Sequence, residues 1–356
     1  MGLMDTYAPN YRVVANDKDI TAAIAERFVS LSLTDETGFL SDTLELTLSD
    51  TDEERPIKIP PTGAELQVWL GYNGQLVPKG MFVCNEVELS GWPARMVIRA
   101  NAAPYEGTPK GKLDFASQKT RSWPVNTTIG AMVSKMAKDH GMTAAVSPEL
   151  SSVPLPHIDQ TDESDINLLI RLAKKYDAIA KPAGGKLIFA KRGNAKTVSG
   201  TELPTITIDR KDSANYRMIQ SRRDSAGTVV AFYRDNRSAA RHQVSIGSGD
   251  PVRRLRMGFK NLAMATAAVK AKLAERARGE FKLAVSMAGV PTITAEANLK
   301  MTNYRDGVAG DWLVTRVVHT VEPSSYLCII EAEKPNSDLD VIEATDGEVS
   351  DIVAPK

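Results

Sequence analysis

The chain has 356 residues, with 44 basic side chains balancing 44 acidic ones and 42% hydrophobic residues. That length is more than one hydrophobic core usually fills, so roughly two to four domains are expected. The charge balance supplies no global field toward nucleic acid or an anionic membrane. No charge-free apolar run is long enough to cross a bilayer, and Met1 to Asn10 carry neither the basic nor the apolar part of a secretory signal.

In chain order, the first hundred residues read as strands. Leu44, Leu46 and Leu48 alternate with Thr43, Glu45 and Thr47, the period of a half-buried strand. Leu66, Val68 and Leu70 repeat the pattern, and Gly80–Leu89 and Met96–Ala100 follow around the turn Ser90-Gly91-Trp92-Pro93. Short strands with frequent turns predict a small antiparallel barrel or sandwich over residues 1–107.

The period then changes. Ile129, Met132, Val133, Met136 and Ala137 have helical spacing over Thr128–His140, with Asn126 or Thr127 able to cap and Gly141 able to end the helix. Asp162–Asp177 repeats this with Ile166, Leu169, Ile170, Ala173 and Tyr176, and Lys186–Ala190 after Gly184-Gly185 reads as a strand. The Ser/Pro-rich stretch Ser147–Pro156 reads as a connector between the two helices. Residues 108–192 are therefore expected to form an α+β insertion.

Strands return at Thr205–Ile208, Arg217–Arg222 and Thr228–Tyr233, before a polar loop or long hairpin at Arg234–Arg254. Asn261–Arg278 is the longest predicted helix, its stripe being Leu262, Thr266, Val269 and Leu273. Thr292–Met301, Trp312–His319 and Tyr326–Glu331 are predicted strands, the first with Ile293, Ala295, Ala297, Leu299 and Met301 inward. These elements define a second β domain over 193–334, and the acidic 335–356 reads as a flexible tail.

One internal similarity stands out. Gly80-Met81-Phe82-Val83 overlies Gly310-Asp311-Trp312-Leu313 at an offset of 230 residues, which without a gap also sets Val97 on Leu327 and Ala100 on Ile330. A duplication would leave this trace, and so would coincidence between two hairpins of period 2.

Candidate chemistry is sparse. His140, His157, His242 and His319 are isolated, and no HExxH, paired-Cys, GxSxG, GxxxxGK[ST] or GxGxxG pattern occurs. No catalytic, cofactor-binding or metal-binding residue is therefore assigned. The acidic run Asp159–Asp165 suits a glycosidase carboxylate pair less well than helix initiation, with Asp162 as N-cap and Glu163 and Asp165 in the first turn. His140 suits the carbonyl end of its helix. Cys84 and Cys328 read as a disulfide, a reactive thiol or, more simply, two small buried hydrophobes, and such sparse cysteine fits folding in a reducing cytoplasm. Arg222-Arg223 and Arg253-Arg254-Leu255-Arg256 lack interleaved aromatics and suit a solvated face or a subunit contact better than nucleic acid.

Several segments in a fixed order nevertheless resemble a known family. Val13-Val14-Ala15-Asn16-Asp17-Lys18-Asp19-Ile20-Thr21 is similar to V-x-x-N-G-x-D-I-T, with Asp17 in place of the Gly. Leu31 to Asp42, then Gly80-Met81-Phe82-Val83 and Gly91-Trp92-Pro93, follow in order. Gln160-Thr161-Asp162-Glu163-Ser164-Asp165, with Leu169 and Arg171-Leu172-Ala173, and then Gly310-Asp311-Trp312-Leu313-Val314 with His319, complete the set. Together they resemble the late control protein D family of contractile phage tails over about residues 7 to 334.

The resemblance implies a baseplate hub with no catalytic role: two related small antiparallel β-barrels, a small α/β domain and a long helix. It implies a homotrimer whose six barrels join a trimeric central spike to a hexameric tail tube and initiate tube assembly, beside tape-measure and other baseplate proteins. No cofactor, nucleic acid or membrane insertion is implied. The expected place is the baseplate of a virion or tail-like bacteriocin, assembled in the bacterial cytoplasm. Glu88 and Arg316, which alternate away from the apolar positions of the two similar hairpins, are the candidate tube-interface residues. The competing readings are a peptidoglycan-degrading tail enzyme, for which the match leaves no spare residues, and a cell-wall glycan-binding module resting only on scattered tryptophans.

Overall fold

The computed structural model describes residues 8–38, 42–102, 117–183, 186–193, 205–212, 214–221, 227–234, 241–335 and 345–348. The Gly184-Gly185 turn, Arg222-Arg223 and the boundary near residue 107 lie outside these.

Apolar alternation builds an N-terminal lobe from β1 (Pro9–Ala15), β2 (Lys18–Asp19), β3 (Phe28–Glu36), β4 (Thr43–Ser49), β5 (Glu65–Tyr72), β6 (Gln75–Ser90) and β7 (Arg95–Ala102), with one helical turn, α1 (Thr21–Ile24). The strands lie in the order β3-β4-β7-β6-β5-β1-β2. Leu44, Leu46, Leu66, Val68 and Leu70 are buried as their spacing predicts, each fully buried leucine contributing about 2 kcal/mol of transfer free energy. Tyr11 on β1 stacks on Phe28 at the start of β3, ring centroids 4.1 Å apart, so the sheet curls back on itself.

The α+β unit contains β8 (Gln118–Trp123), α2 (Ile129–Asp139), β9 (Thr143–Val146), α3 (Pro148–Ser151), β10 (Ile158–Ser164), α4 (Asp165–Tyr176), β11 (Ala178–Ala183) and β12 (Lys186–Lys191). It has its own core, including Trp123, Met132, Val133, Leu168, Leu172 and Phe189. Both expected helices form, but their caps differ from the sequence reading. Thr128 Oγ1 caps α2 by accepting the Ala131 N–H at 3.1 Å. Ser164 Oγ, not Asp162, caps α4 by accepting the Asn167 N–H at 3.3 Å. Asp162 sits instead at an irregularity of β10 with φ 48°, and Glu163 is still in the strand. The expected connector at 147–156 contains α3.

The C-terminal lobe is assembled from β13 (Thr205–Asp209), β14 (Asn215–Gln220), β18 (Phe281–Ala288), β19 (Asn298–Thr302), β20 (Gly310–Glu322) and β21 (Ser325–Glu333). Between β14 and β18 stand β15 (Thr228–Arg234), β16 (Arg241–Gly247), β17 (Val252–Phe259) and α5 (Leu262–Gly279), joined by β22 (Thr345–Glu348) in a four-stranded sheet with a separate core under α5. The stretch 193–334 thus holds two cores. The polar segment after Arg234 is a hairpin rather than a loop, and part of the expected tail forms β22. On α5, Ala265, Val269 and Leu273 face inward while Leu262 is exposed, because a stripe drawn from leucine overlooked alanine's fit against a sheet. The strand expected at 292–301 begins only at Asn298; Ile293 and Ala297 are buried from irregular backbone.

The lobes share one 13-stranded sheet, joined where β20 pairs with β3, and their apolar residues form one continuous cluster. Among the described residues no further strand pair closes either lobe into a barrel, and β13 runs parallel to β19.

Candidate assembly surface

The two similar hairpins are related in backbone as well as in letters. β6 and β20 each begin their shared segment with a left-handed glycine, Gly80 at φ 104° and Gly310 at φ 107°, a conformation that suits residues without a Cβ. Both strands then carry a register shift at matching places, between Cys84 and Glu86 and between Val314 and Arg316. Leu66 faces Phe82 as Leu299 faces Trp312, and Leu44 faces Ala100 as Leu283 faces Ala332. The lobes therefore repeat one neighbour order, β3-β4-β7-β6-β5-β1 and β14-β18-β21-β20-β19-β13. Cys84 faces Ala100 while Val314 faces Ala332, so the return strand is offset by 232 residues and not by the ungapped 230. Ala100 thus corresponds to Ala332 rather than Ile330, because the second hairpin has longer arms and a tighter turn.

The β20–β3 joint is densely made. Arg316 lies opposite Glu36 and pairs with it at 3.0 Å, and it also reaches Glu331 at 3.2 Å. Lys181 approaches Asp35 at 3.7 Å and Asp42 at 3.8 Å, tying the α+β unit to the joint. Burial, with repulsion from Asp35, lifts the Asp42 carboxyl to about 6 against the opposing Lys181 charge.

Behind the joint, Lys79 on β6 donates to His319 Nε2 on β20 at 3.1 Å and to the Ile293 carbonyl at 3.3 Å. That leaves the imidazole proton on Nδ1, 2.9 Å from Tyr326 Oη and 3.1 Å from Cys328 Sγ. Burial and the Lys79 charge hold His319 down to about 3, and burial lowers Lys79 to about 8. Both cysteines are free and buried, and burial pushes the Cys328 thiol up to about 11, the opposite of an activated nucleophile.

Glu88 and Arg316 do not occupy matching positions. Glu88 is half-exposed on the far half of β6, 2.7 Å from Arg99, which also holds Glu86 at 2.7 Å and Glu45 at 3.1 Å. Arg316 corresponds to Glu86 and belongs to the joint. Trp92, at the tip of the β6–β7 hairpin, is 79% exposed.

The acidic run at the start of α4 holds a saturated carboxylate. Asp165 is fully buried, receiving His140 Nε2 at 2.8 Å, Lys119 at 3.1 Å, Gln160 Nε2 at 2.7 Å and the Arg121 guanidinium. Burial pushes its pKa up, but hydrogen bonds from Gln160, His140 and Lys119 outweigh burial and hold it low. Glu163 accepts Arg171 in a two-point pair at 3.0 and 2.7 Å. These contacts describe a structural network. Among the described residues no group of three His, Cys, Asp or Glu side chains could hold a metal ion.

Comparison with known proteins gives a consistent picture. The family model of the phage tail baseplate hub (GPD) matches residues 43–325. The probable baseplate hub protein of Escherichia phage P2 is 30% identical over 94% of this chain and 95% of its own length. That of Escherichia phage 186 is 29% identical over 96% and 97%. In fold, the 43 kDa tail protein of prophage MuSo2 from Shewanella oneidensis superposes with a TM-score of 0.69 at 13% identity, covering 92% of this chain and 99% of that one.

Proposed function

We propose that this chain, which belongs to the phage tail baseplate hub family, acts as a non-catalytic homotrimeric ring that joins a trimeric central spike to a hexameric tail tube and starts the tube. The observation that carries this reading is the repeated lobe: two copies of one six-strand order per chain supply six equivalent positions from three chains. A threefold spike below and a sixfold tube above then meet matching numbers of contacts. The hairpin ends, with the exposed Trp92 on one and Pro323-Ser324 on the other, are the natural tube-facing features, and of the candidate contact residues Glu88 lies near the first tip while Arg316 lies farther back, at the joint. The role is binding. The buried Asp165 network and the raised Cys328 thiol support stability rather than turnover. Assembly in the bacterial cytoplasm, beside tape-measure and other baseplate proteins, follows from the same reading.

Co-expression with the spike and tube proteins of the same tail tests it. Light scattering should give three hub chains per spike trimer, with tubes growing from the complex. One hub chain per spike trimer, or lysis of purified cell wall by the hub alone, would refute it.

A further inference from the structure

The internal joint has an unfilled twin. On β20 the strand leaves β19 after Leu313, passes the bulge, and from Arg316 to Val321 pairs with β3 of the other lobe. On β6 the strand leaves β5 after Val83 and passes the matching bulge. From Glu86 to Ser90 its corresponding edge meets no strand among the described residues. The counterpart of β3 is β14: Leu33 opposes Leu44 as Met218 opposes Leu283, and Leu31 opposes Leu46 as Tyr216 opposes Val285. The outer edge of β14 is likewise unpaired among the described residues. One chain therefore carries both halves of the joint that it forms once internally.

We infer that a second copy of this chain fills that edge, with Glu86–Gly91 of one copy running antiparallel to Tyr216–Ser221 of the next. This deepens the reading of the chain as a ring-forming hub and rests on it. Transferring the β20–β3 register sets the pairing. Arg316 opposite Glu36 becomes Glu86 opposite Ser221, Val318 opposite Thr34 becomes Glu88 opposite Ile219, and His319 opposite Leu33 becomes Leu89 opposite Met218.

Burial supports it independently. Val317, His319, Leu31 and Leu33 are at most 2% exposed in the occupied joint. Of their counterparts on the open edges, Val87 and Met218 are half-buried against the core, whereas Leu89 is 54% exposed and Tyr216 42%; Ile219, on the opposite face of β14, is 42% exposed. Unpaired strand edges bearing large apolar side chains are liabilities unless a partner covers them. The transferred register also sets Tyr216 against Gly91 and Arg217 diagonal to Glu88, a large side chain beside none and opposite charges within reach. Because the two edges differ, the contact is head-to-tail, and such contacts close into rings.

Directly opposed antiparallel residues have Cα atoms about 4.5–5.5 Å apart, within disulfide range. The double variant Glu88→Cys/Ile219→Cys, produced with its own spike and tube proteins and oxidised, should run as a covalent trimer on a non-reducing denaturing gel. Single variants and wild type should remain monomeric. Glu88→Cys/Gln220→Cys should not crosslink, since a one-residue slip turns the side chains to opposite faces. If three hub chains are present and the opposed pair stays unlinked, or the slipped pair links equally, the inference fails while the hub reading stands. One hub chain per spike overturns both. Where the double variant does not enter particles, hydrogen exchange on wild type decides. Amides of Glu86–Ser90 and Asn215–Gln220 should slow at least tenfold from isolated chain to particle, and unchanged rates would overturn the inference.

Discussion

Replacing Asp165 by alanine should open the α+β unit far more than replacing Glu163, although both lie in one acidic run at the start of α4. Asp165 is fully buried against Lys119, Arg121, His140 and Gln160. Its removal strands partly buried cations, a change that typically costs about 3–5 kcal/mol. Glu163 makes one two-point pair with Arg171, whose side chain is 41% exposed, and such a pair contributes about 1 kcal/mol or less. Hydrogen exchange of the α2 and α4 amides in the full chain reads the unit's own opening, which a whole-chain melt of several cores would blur. Asp165→Ala should accelerate exchange by roughly two to three and a half decades, the rate equivalent of that free energy, and Glu163→Ala by less than about tenfold. The pH dependence has a fixed sign. The carboxyl's folded pKa is lowered, so its stabilisation is complete above the unfolded value of about 3.9 and is lost as pH falls through the folded one. The gap between wild type and Asp165→Ala should therefore narrow in acid. Equal acceleration by the two variants, or a gap that widens in acid, would refute the buried-network account.

Arg278→Met should destabilise the chain by about 3–5 kcal/mol in denaturant titration, since Arg278 is buried with Asp177 at 2.8 Å and lies 3.1 Å from Glu333. By NMR, His319 should stay neutral in the folded chain from pH 8 to 5, its pKa being held down to about 3. Because unfolded histidine takes up a proton near about 6.5, this site should cost stability as pH falls from there toward 3. Arg316→Glu should speed exchange of the Leu31–Glu36 amides by opposing Glu36 and Glu331, whereas Glu88→Lys should leave the β20–β3 joint unchanged. If both folded variants still seed tubes of normal length in complex with spike, the tube contact lies away from Glu88 and Arg316.

Strand positions in the N-terminal lobe were legible wherever period 2 was clean, as at Leu44, Leu46 and Leu48. β1 and β3 were known only as family segments, because Tyr11-Arg12-Val13-Val14 and Phe28-Val29-Ser30-Leu31 do not alternate cleanly. The α4 cap shifted from Asp162 to Ser164 because the chain stays extended for two further residues after the left-handed Asp162 in β10. Sequence propensity for Asp at helix starts sees no such bulge. Of the small sheet under α5, β15 and a hairpin after it were legible, but its strand β17 and its separate core were not, because β17 carries Arg253 and Arg254 and the helix contributes alanines as well as larger apolar residues.

The assembly surface was half legible for a related reason. An ungapped offset finds the Gly-turn-aromatic start of both hairpins, since the conformation of Gly80 and Gly310 constrains the letters. It fails past the tip, where a two-residue change of arm length is invisible to composition. The backbone retains the correspondence through the bulge, and the bulge is what moves β20 from β19 to β3. A bulge conserved between two lobes, but answered by a partner strand in only one, is a geometric statement about a missing neighbour. Side-chain patterning then agrees with it. Position 319 is a buried histidine fixed by Lys79 within the chain, whereas its counterpart, Leu89, needs no internal hydrogen-bond partner and is left exposed. Burial of Leu89 and Tyr216 would add about 1–3 kcal/mol each per contact, with the backbone pairing of a strand edge beside it. Such a contact is modest once and would be substantial when three close a ring, as the proposed hub ring requires.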